Sequence, residues 1–232
     1  AGWIAPITLE DGSPAVIKIG LPHVEADHEA DGLHFWDGNG AVRLLDRDDD
    51  LGAMLIERCE PGLVLRYLPE PEQDVVLAGL LKRLWRTPPA GHPFRQLSEM
   101  IDYWVEEAQD NSGELSNPGL MNEGIGSFKF LIKTCTNSVL LCTDLHAGNV
   151  VSAQREPWLV IDPKPFVGDP AYDATQHLYN CSTRMMNDPL GTIARFADLL
   201  EVDSERVKLW MFARAAVTIR GELWEDIARK LR

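Results

Sequence analysis

Three polar residues in the second half of the chain have types and spacing that suit metal-dependent chemistry. Asn149 follows Asp144 by five residues, and Asp162 ends an apolar stretch thirteen residues further on. Two carboxylates and a carboxamide at loop or strand ends, joined by a short hairpin, can converge on one point in space. Mg²⁺ binds such oxygen ligands, typically one or two carboxylates together with phosphate oxygens and water. The spacing therefore predicts a phosphoryl-transfer site, in which the remaining acid orients a hydroxyl group.

The elements that must hold this site begin with a small sheet. Short apolar, β-branched runs alternate with turn sequences in the first 60 residues, and one segment between them has helical periodicity. The predicted elements are strands at 3–9 and 14–19, a helix at 23–36 that begins at Pro22, and strands at 41–46 and 53–59. This order indicates a small antiparallel sheet that carries one helix.

Helical periodicity dominates beyond Glu60-Pro61-Gly62, which we interpret as a hinge between two lobes. The predicted helices are 72–86, 95–109, 119–138, 170–180, 187–200, 204–219 and 221–231. A second pair of strands, at 150–152 and 158–161, brackets a turn close to the polar residues. The chain is thus predicted to be an α+β protein with a sheet lobe at 1–60 and a mostly helical lobe at 61–232.

The composition excludes several classes of partner. The 232 residues include 22 Lys and Arg against 36 Asp and Glu, a formal net charge of −14. A field of this sign repels nucleic acids and anionic membranes and attracts cations. The sequence has neither an apolar run long enough for a membrane helix nor a secretory signal pattern, so a cytoplasmic location is expected. The four cysteines form no CxxC pair, which predicts buried, reduced thiols and neither a zinc site nor a disulfide framework.

Several motifs in this order resemble the aminoglycoside phosphotransferase family. The loop Asp144-Leu145-His146-Ala147-Gly148-Asn149 is similar to the family's H-G-D-L-H-x-x-N, and the runs I-D-P-K at 161–164 and G-D-P-A-Y-D at 168–173 follow it. The runs A-V-I-K at 15–18, H-E-A at 28–30 and L-I-E-R at 55–58 resemble its streptomycin 6-kinase and hydroxyurea-resistance kinase branch. The resemblance implies a protein-kinase-like bilobal fold, in agreement with the order of elements.

The resemblance also implies roles for the residues of the catalytic loop. Asp144 is then the catalytic carboxylate, which orients the substrate hydroxyl and accepts its proton. Asn149 and Asp162 hold Mg²⁺ on the phosphates of ATP. His146 braces the loop and takes no part as a general base.

The nucleotide-binding roles that the resemblance implies fall in the first lobe. Lys18 reaches the α- and β-phosphates of ATP, and Glu29 on the following helix holds Lys18 in position. The strand that ends in Ile56-Glu57-Arg58-Cys59 offers backbone groups to adenine, as the hinge between the lobes of a kinase does.

The sequence departs from the family pattern in two places. Cys142-Thr143 stands where the family has His-Gly before the catalytic aspartate. The chain also opens at Ala1-Gly2-Trp3, where a kinase of this shape has a Gly-rich hairpin. The first lobe is therefore expected to be incomplete at its start, without its first strand and most of the phosphate-covering loop.

These observations favour an ATP- and Mg²⁺-dependent phosphotransferase that acts on a hydroxyl of a small molecule. A cationic aminoglycoside such as streptomycin is the leading substrate and antibiotic resistance the leading role. A kinase of another small hydroxyl metabolite, neutral or singly charged, remains an alternative. A nucleotide-binding pseudokinase is the second alternative, because of the two departures.

Overall fold

The computed structural model describes residues 2–20, 27–111, 117–218 and 222–232. The predicted start of the first helix at Pro22, the end of the helix at 204–219 and the start of the helix at 221–231 lie outside these residues. No helix within the described ranges is both long and apolar enough to cross a membrane.

Contacts within the chain divide it into two units. Unit 1 consists of Ala1–Phe94 and Cys142–Pro165, and unit 2 consists of Arg95–Leu141 and Phe166–Arg232. This division differs from the predicted lobes at 1–60 and 61–232, whose boundary stays a prediction. Because unit 1 takes in the segment from Cys142, it contains every site residue that the sequence predicts.

Unit 1 is built on a four-stranded antiparallel sheet. Its strands are β1 (Gly2–Thr8), β2 (Pro14–Gly20), β3 (Leu44–Asp48) and β4 (Ala53–Glu57), in the order β1-β2-β4-β3. Gly12 in the β1–β2 turn has φ +86°, a left-handed conformation that glycine adopts without steric cost. The predicted hairpin is therefore confirmed, and β2 lies between β1 and β4, where it presents Lys18.

The strand predicted at 41–46 is wrong in its first half. Its backbone pairs instead with β7 (Leu159–Val160), since the Val42 N–H donates to the Val160 carbonyl at 3.0 Å and the Val160 N–H donates to the Gly40 carbonyl at 2.9 Å. The strand β3 therefore starts only at Leu44. Apolar residues look alike in either pairing, so the pattern could not distinguish the two partners.

Helix α1 (Glu29–Trp36) places Glu29 at its first turn and ends on a buried tryptophan. Trp36 is fully buried, and its Nε1–H donates to the Leu84 carbonyl at 3.0 Å. A Cβ at Gly32 would lie 3.0 Å from Pro165 Cγ, so glycine lets the helix approach the segment that contains Pro165 without displacing it. These contacts fix the position of the helix in unit 1.

The other elements of unit 1 are helix α2 (Glu70–Leu84) and the hairpin of β6 (Val150–Val151) and β7. The two strands of the hairpin pair antiparallel, as predicted. Residues 62–64 run beside β6, where Ser152 exchanges hydrogen bonds with Leu63. The hairpin that separates Asn149 from Asp162 is therefore supported on both sides.

Unit 2 is mostly helical. Its elements are α3 (Leu97–Asp110), α4 (Pro118–Lys133), β5 (Val139–Leu141), β8 (Phe166–Gly168), α5 (Pro170–Asn180), α6 (Ser182–Asn187), α7 (Pro189–Leu200), α8 (Ser204–Val217) and α9 (Glu222–Leu231). Strands β5 and β8 pair antiparallel. The helix predicted at 119–138 is too long, because α4 ends at Lys133 and residues 134–138 connect it to β5. The helix predicted at 187–200 begins two residues later than predicted, at Pro189. Asp188 caps α7, because its side chain accepts a hydrogen bond from the Gly191 N–H at 2.9 Å.

Polar bonding and close packing join the helices of unit 2. Asp169 caps α5 through the Ala171 N–H at 3.0 Å and accepts hydrogen bonds from Arg206 at 2.5 Å and from Trp210 Nε1 at 2.7 Å. Helices α4 and α8 lie so close that a Cβ at Gly124 would come 2.7 Å from Ala216 Cβ. The end of β8 is thus anchored to the centre of α8.

Replacing Trp36 by alanine tests how unit 1 holds α1. We expect Trp36→Ala to lower the free energy of unfolding by about 3–5 kcal/mol, because it leaves a cavity and an unpaired Leu84 carbonyl. Urea unfolding measures the change. The matched control is Trp3→Ala, which removes a tryptophan that is 58% exposed and should change stability by about 0.5 kcal/mol at most. Equal losses in the two variants would contradict this account of α1.

Candidate active site

The loop from Cys142 to Asn149 holds Asp144 in a tight turn. Thr143 has a positive φ of 30°, and the Asp144 N–H donates to the Cys142 carbonyl at 2.5 Å. His146 Nδ1 accepts a hydrogen bond from the Gly148 N–H at 3.0 Å, and the Asn149 N–H donates to the His146 carbonyl at 2.9 Å. His146 therefore braces the loop through local hydrogen bonds, as predicted.

Asp144 orients the side chain of Asn149. Its Nδ2 donates to the Asp144 backbone carbonyl at 3.0 Å and lies 3.4 Å from Asp144 Oδ2. With the amide nitrogen engaged in this way, Oδ1 is the atom of Asn149 that can bind a cation. The structure thus brings Asp144 and Asn149 together, as the sequence predicts.

Asp162 lies two residues after the end of β7 and close to Asn149. The Ile161 N–H donates to the Asn149 carbonyl at 2.9 Å, which places residue 162 next to the end of the Cys142–Asn149 loop. Asp162 has a φ of 55°, in the left-handed region that aspartate enters more readily than most residues. Its side chain is 45% exposed, so part of the carboxylate faces solvent and can accept a ligand.

Lys18 lies between two carboxylates that come from different elements. Its Nζ donates to Glu29 at 2.6 and 2.7 Å and to Asp162 Oδ1 at 2.5 Å. The side chains of Lys18 and Glu29 are each only 8% exposed. Burial raises the pKa of Glu29 above its ordinary value, and the neighbouring Lys18 charge opposes that rise. The predicted pairing of Lys18 with Glu29 is present, and Lys18 also contacts Asp162.

Glu57, the last residue of β4, uses its side chain within unit 1. Arg155 Nε and Nη2 donate to the two carboxylate oxygens at 2.9 Å each, and the Arg43 N–H donates to Oε2 at 3.0 Å. Burial acts to raise the pKa of Glu57, but these hydrogen bonds outweigh it and lower the pKa below its ordinary value. The predicted contact of this strand with adenine therefore depends on backbone atoms and stays a prediction.

Cys59 follows β4 and is half-buried. Burial raises the pKa of its thiol to about 11, and the Glu57 charge acts in the same direction. The thiol is therefore neutral at pH 7 and neither a nucleophile nor a metal ligand of note. All four cysteines are free thiols, as predicted, although only Cys142 and Cys181 are buried.

Two basic residues of the site escape the sequence prediction. Lys164 Nζ lies 2.6 Å from Asp144 Oδ2, although the sequence indicates only that this lysine belongs to the I-D-P-K motif. Arg155 binds Glu57 and also donates to the Gly38 carbonyl at 2.7 Å and the Ala41 carbonyl at 3.1 Å. Arg155 occurs in a polar turn, where nothing in the pattern distinguishes it from a solvated arginine.

The donor set fits a magnesium ion that is shared with a nucleotide. Within the described ranges, no group of three or more His, Cys, Asp or Glu side chains could hold a metal by itself. Asn149 and Asp162 together offer one amide oxygen and one partly exposed carboxylate, and Mg²⁺ commonly completes such a pair with phosphate oxygens and water. The residues present therefore suit a metal that arrives with phosphate.

Comparison with known proteins finds a family model and relatives that match almost the whole chain. The family model described as aminoglycoside/hydroxyurea antibiotic resistance kinase matches residues 2–222. A streptomycin 6-kinase from Streptomyces glaucescens is 33% identical over 235 residues, which cover 97% of this chain and 75% of the relative. A hydroxyurea phosphotransferase from Kitasatospora aureofaciens is 32% identical over 239 residues, which cover 96% of this chain and 65% of the relative.

Solved structures of small-molecule kinases share the fold. An amicoumacin kinase, solved in complex with AMP-PNP and Ca²⁺, superposes with a TM-score of 0.56 at 12% identity, and the match covers 99% of this chain and 84% of the other. Identity at this level concerns the fold alone. The likeness confirms the predicted α+β, protein-kinase-like fold.

The Arg155–Glu57 contact makes stability depend on pH. We expect Arg155→Met to lower the free energy of unfolding at pH 7 by about 1–3 kcal/mol, less than for a fully buried pair because both side chains retain some solvent contact. Since the pKa of Glu57 is lowered by folding, its contribution is complete above the ordinary value of 4.5 and is lost as pH falls through the folded value. The difference between wild type and variant should therefore narrow below pH 4.5.

Chemical unfolding at several pH values measures this difference. The control is Arg195→Met, which removes an exposed arginine from its ion pair with Asp188 and should change stability little at any pH. A difference for Arg155→Met that stays constant from pH 7 to pH 4 would contradict the role assigned to Glu57.

Proposed function

Because this chain belongs to the aminoglycoside/hydroxyurea antibiotic resistance kinase family, we propose that it transfers the γ-phosphoryl group of Mg·ATP to a hydroxyl of a streptomycin-type aminoglycoside. As a member of this family, the chain is a small-molecule phosphotransferase. The observation that carries the finer proposal is the convergence of Lys18, Asp162 and the Asp144–Asn149 loop in unit 1. A cytoplasmic location, where ATP is available, is part of the proposal.

Asp144 is the group that acts on the acceptor in this proposal. Its carboxylate orients the hydroxyl and accepts the proton as the oxygen attacks phosphorus. The hydrogen bonds within the loop support this role, because they hold the backbone on both sides of Asp144. The protein needs few other groups at the acceptor hydroxyl, since phosphoryl transfer depends mainly on alignment and charge stabilisation.

Lys18 and Glu29 serve the donor. The Lys18 ammonium contacts the α- and β-phosphates, and the buried Glu29 carboxylate holds it at the site through two hydrogen bonds. Glu29 and Asp162 both lie within 2.7 Å of the buried Lys18 Nζ, so two carboxylates compensate its charge. The end of β4 at Glu57 and the residues after it up to Cys59 contribute backbone groups to adenine.

Asn149 and Asp162 would hold the metal. Mg²⁺ at this place would offset phosphate charge and stabilise the charge that develops during transfer. The Asn149 side chain is fixed by its bond to the Asp144 backbone, so its oxygen is directed before any ligand arrives. Asp162 contacts Lys18 with one oxygen, which connects the metal site to the phosphate-binding lysine.

Two observations support a streptomycin-type acceptor. A relative that is 33% identical over almost the whole chain is named a streptomycin 6-kinase. The net charge of −14 also favours a cationic acceptor over an anionic one, although several of the acids serve the metal and lysine sites. A specific observation favours a second candidate as well: another relative is named a hydroxyurea phosphotransferase, and hydroxyurea is small and uncharged.

The first test replaces the catalytic carboxylate. We expect Asp144→Asn to reduce phosphoryl transfer about 10²–10⁴-fold, because the amide cannot accept the hydroxyl proton. Mg·ATP binding, measured by calorimetry, should stay close to wild type. Asp162→Ala should show the complementary behaviour and weaken Mg·ATP binding itself.

Asp198→Asn is the matched control, because Asp198 is an exposed acid on α7 and the change should leave both quantities unaltered. Wild-type turnover in Asp144→Asn would overturn the proposal. Binding of Mg·ATP by the wild-type protein without transfer to any acceptor would instead identify a pseudokinase.

Ionic strength separates the two candidate acceptors. If a polycation is drawn in by the acidic protein, KM for streptomycin should rise several-fold as salt shortens the screening length from about 10 Å at 0.1 M towards about 3 Å at 1 M. KM for hydroxyurea should change little over the same range. Steady-state kinetics with both acceptors measures this. A KM for streptomycin that is independent of salt, together with faster turnover of hydroxyurea, would favour the second candidate.

A further inference from the structure

Lys164 contacts the carboxylate to which the proposed chemistry assigns the central role. Its Nζ lies 2.6 Å from Asp144 Oδ2, and the two side chains are 24% and 19% exposed. A charge-assisted hydrogen bond of this length between half-buried groups is stronger than an exposed ion pair. It therefore restricts rotation of the Asp144 carboxylate, which is the motion that catalysis must prevent.

The backbone of Lys164 is attached to the same loop at two points. The Lys164 N–H donates to the Cys142 carbonyl at 3.2 Å, and the Thr143 hydroxyl donates to the Lys164 carbonyl at 2.7 Å. The lysine is thus bonded to the two residues that precede Asp144, in addition to Asp144 itself. These two residues are the Cys142-Thr143 pair that stands where the family has His-Gly.

The segment that carries Lys164 is stiff. Pro163 and Pro165 flank the lysine, and each ring fixes its own φ and restricts the residue before it. Pro165 also packs closely against α1 at Gly32, where an added Cβ would lie 3.0 Å from Pro165 Cγ. A lysine on a restrained backbone can hold its partner more firmly than one on a mobile loop.

The charges of the site point to the same role. Three carboxylates, Glu29, Asp144 and Asp162, are accompanied by the ammonium groups of Lys18 and Lys164. Lys18 contacts Glu29 and Asp162, whereas Lys164 contacts Asp144. A bare carboxylate at Asp144 would repel the incoming phosphates, and the Lys164 ammonium offsets that repulsion.

We propose that Lys164 is the positioning residue of the catalytic aspartate. Its ammonium holds the Asp144 carboxylate in place, and its backbone braces Cys142 and Thr143 where the family uses His-Gly. The inference rests on the proposed function, because it assigns Asp144 to the chemistry. It adds to that function a second lysine, which acts through Asp144 and not through binding of the nucleotide.

The first test separates turnover from binding. We expect Lys164→Met to lower kcat about 100-fold, as a misplaced catalytic group does, with KM for ATP and for the acceptor within about threefold of wild type. Lys164→Arg should recover most of the loss, because a guanidinium can also donate to Asp144 Oδ2. The matched control is Lys129→Met, an exposed lysine of α4, which should leave kcat and KM unchanged. Weakened Mg·ATP binding in Lys164→Met, or an arginine variant as slow as the methionine variant, would overturn the inference.

A double-mutant cycle tests whether Lys164 acts through Asp144. If it does, Lys164→Met should slow single-turnover transfer much less in the Asp144→Asn background than in the wild type. Thermal unfolding of the same four proteins supplies a second readout, in which the two changes should be non-additive. Additive losses in both measurements would overturn the inference. If the wild-type protein transfers no phosphate, the proposed function fails, and the unfolding cycle still decides whether Lys164 holds Asp144.

Discussion

The interaction on which unit 1 depends is the placement of one ammonium group between two carboxylates. Lys18 comes from a strand, Glu29 from the first turn of a helix and Asp162 from the end of a hairpin strand, and all three meet within 2.7 Å. Separating a buried charge from its partner costs free energy, so the contacts with Lys18 hold these three segments in their relative positions. The sheet, α1 and the β6–β7 hairpin are therefore assembled around the same charge that the proposed chemistry uses.

A second contact of the same kind lies at the loop from Cys142 to Asn149. Lys164 approaches Asp144 as Lys18 approaches Asp162, and its backbone secures Cys142 and Thr143. The departure from His-Gly in this sequence thus coincides with a bracing contact from another segment. His146 contributes a third, purely local restraint through the Gly148 N–H. The loop is therefore held both by hydrogen bonds among its own residues and by contacts with Lys164.

Local pattern predicted the elements well where neighbouring residues decide the structure. The β1–β2 hairpin follows from a turn sequence with glycine at its left-handed position, and α5 follows from a capping aspartate before a proline. Prediction failed where the partner is distant in sequence. The first half of the strand predicted at 41–46 pairs with β7 instead. Strand β8 was not predicted, because a run of three residues is too short to show a periodic pattern.

The candidate site divides in the same way. Residue types and spacing were enough to predict that Asp144, Asn149 and Asp162 form a group, because the chemistry of oxygen ligands restricts which residues can serve and a short hairpin limits how far apart they lie. The pairing of Lys164 with Asp144 and of Arg155 with Glu57 came only from the tertiary structure. A lone basic residue in a polar turn has no periodicity, and its partner is set by how distant segments fold together. Charge and composition are read along the chain, whereas contacts between side chains exist only once it has folded.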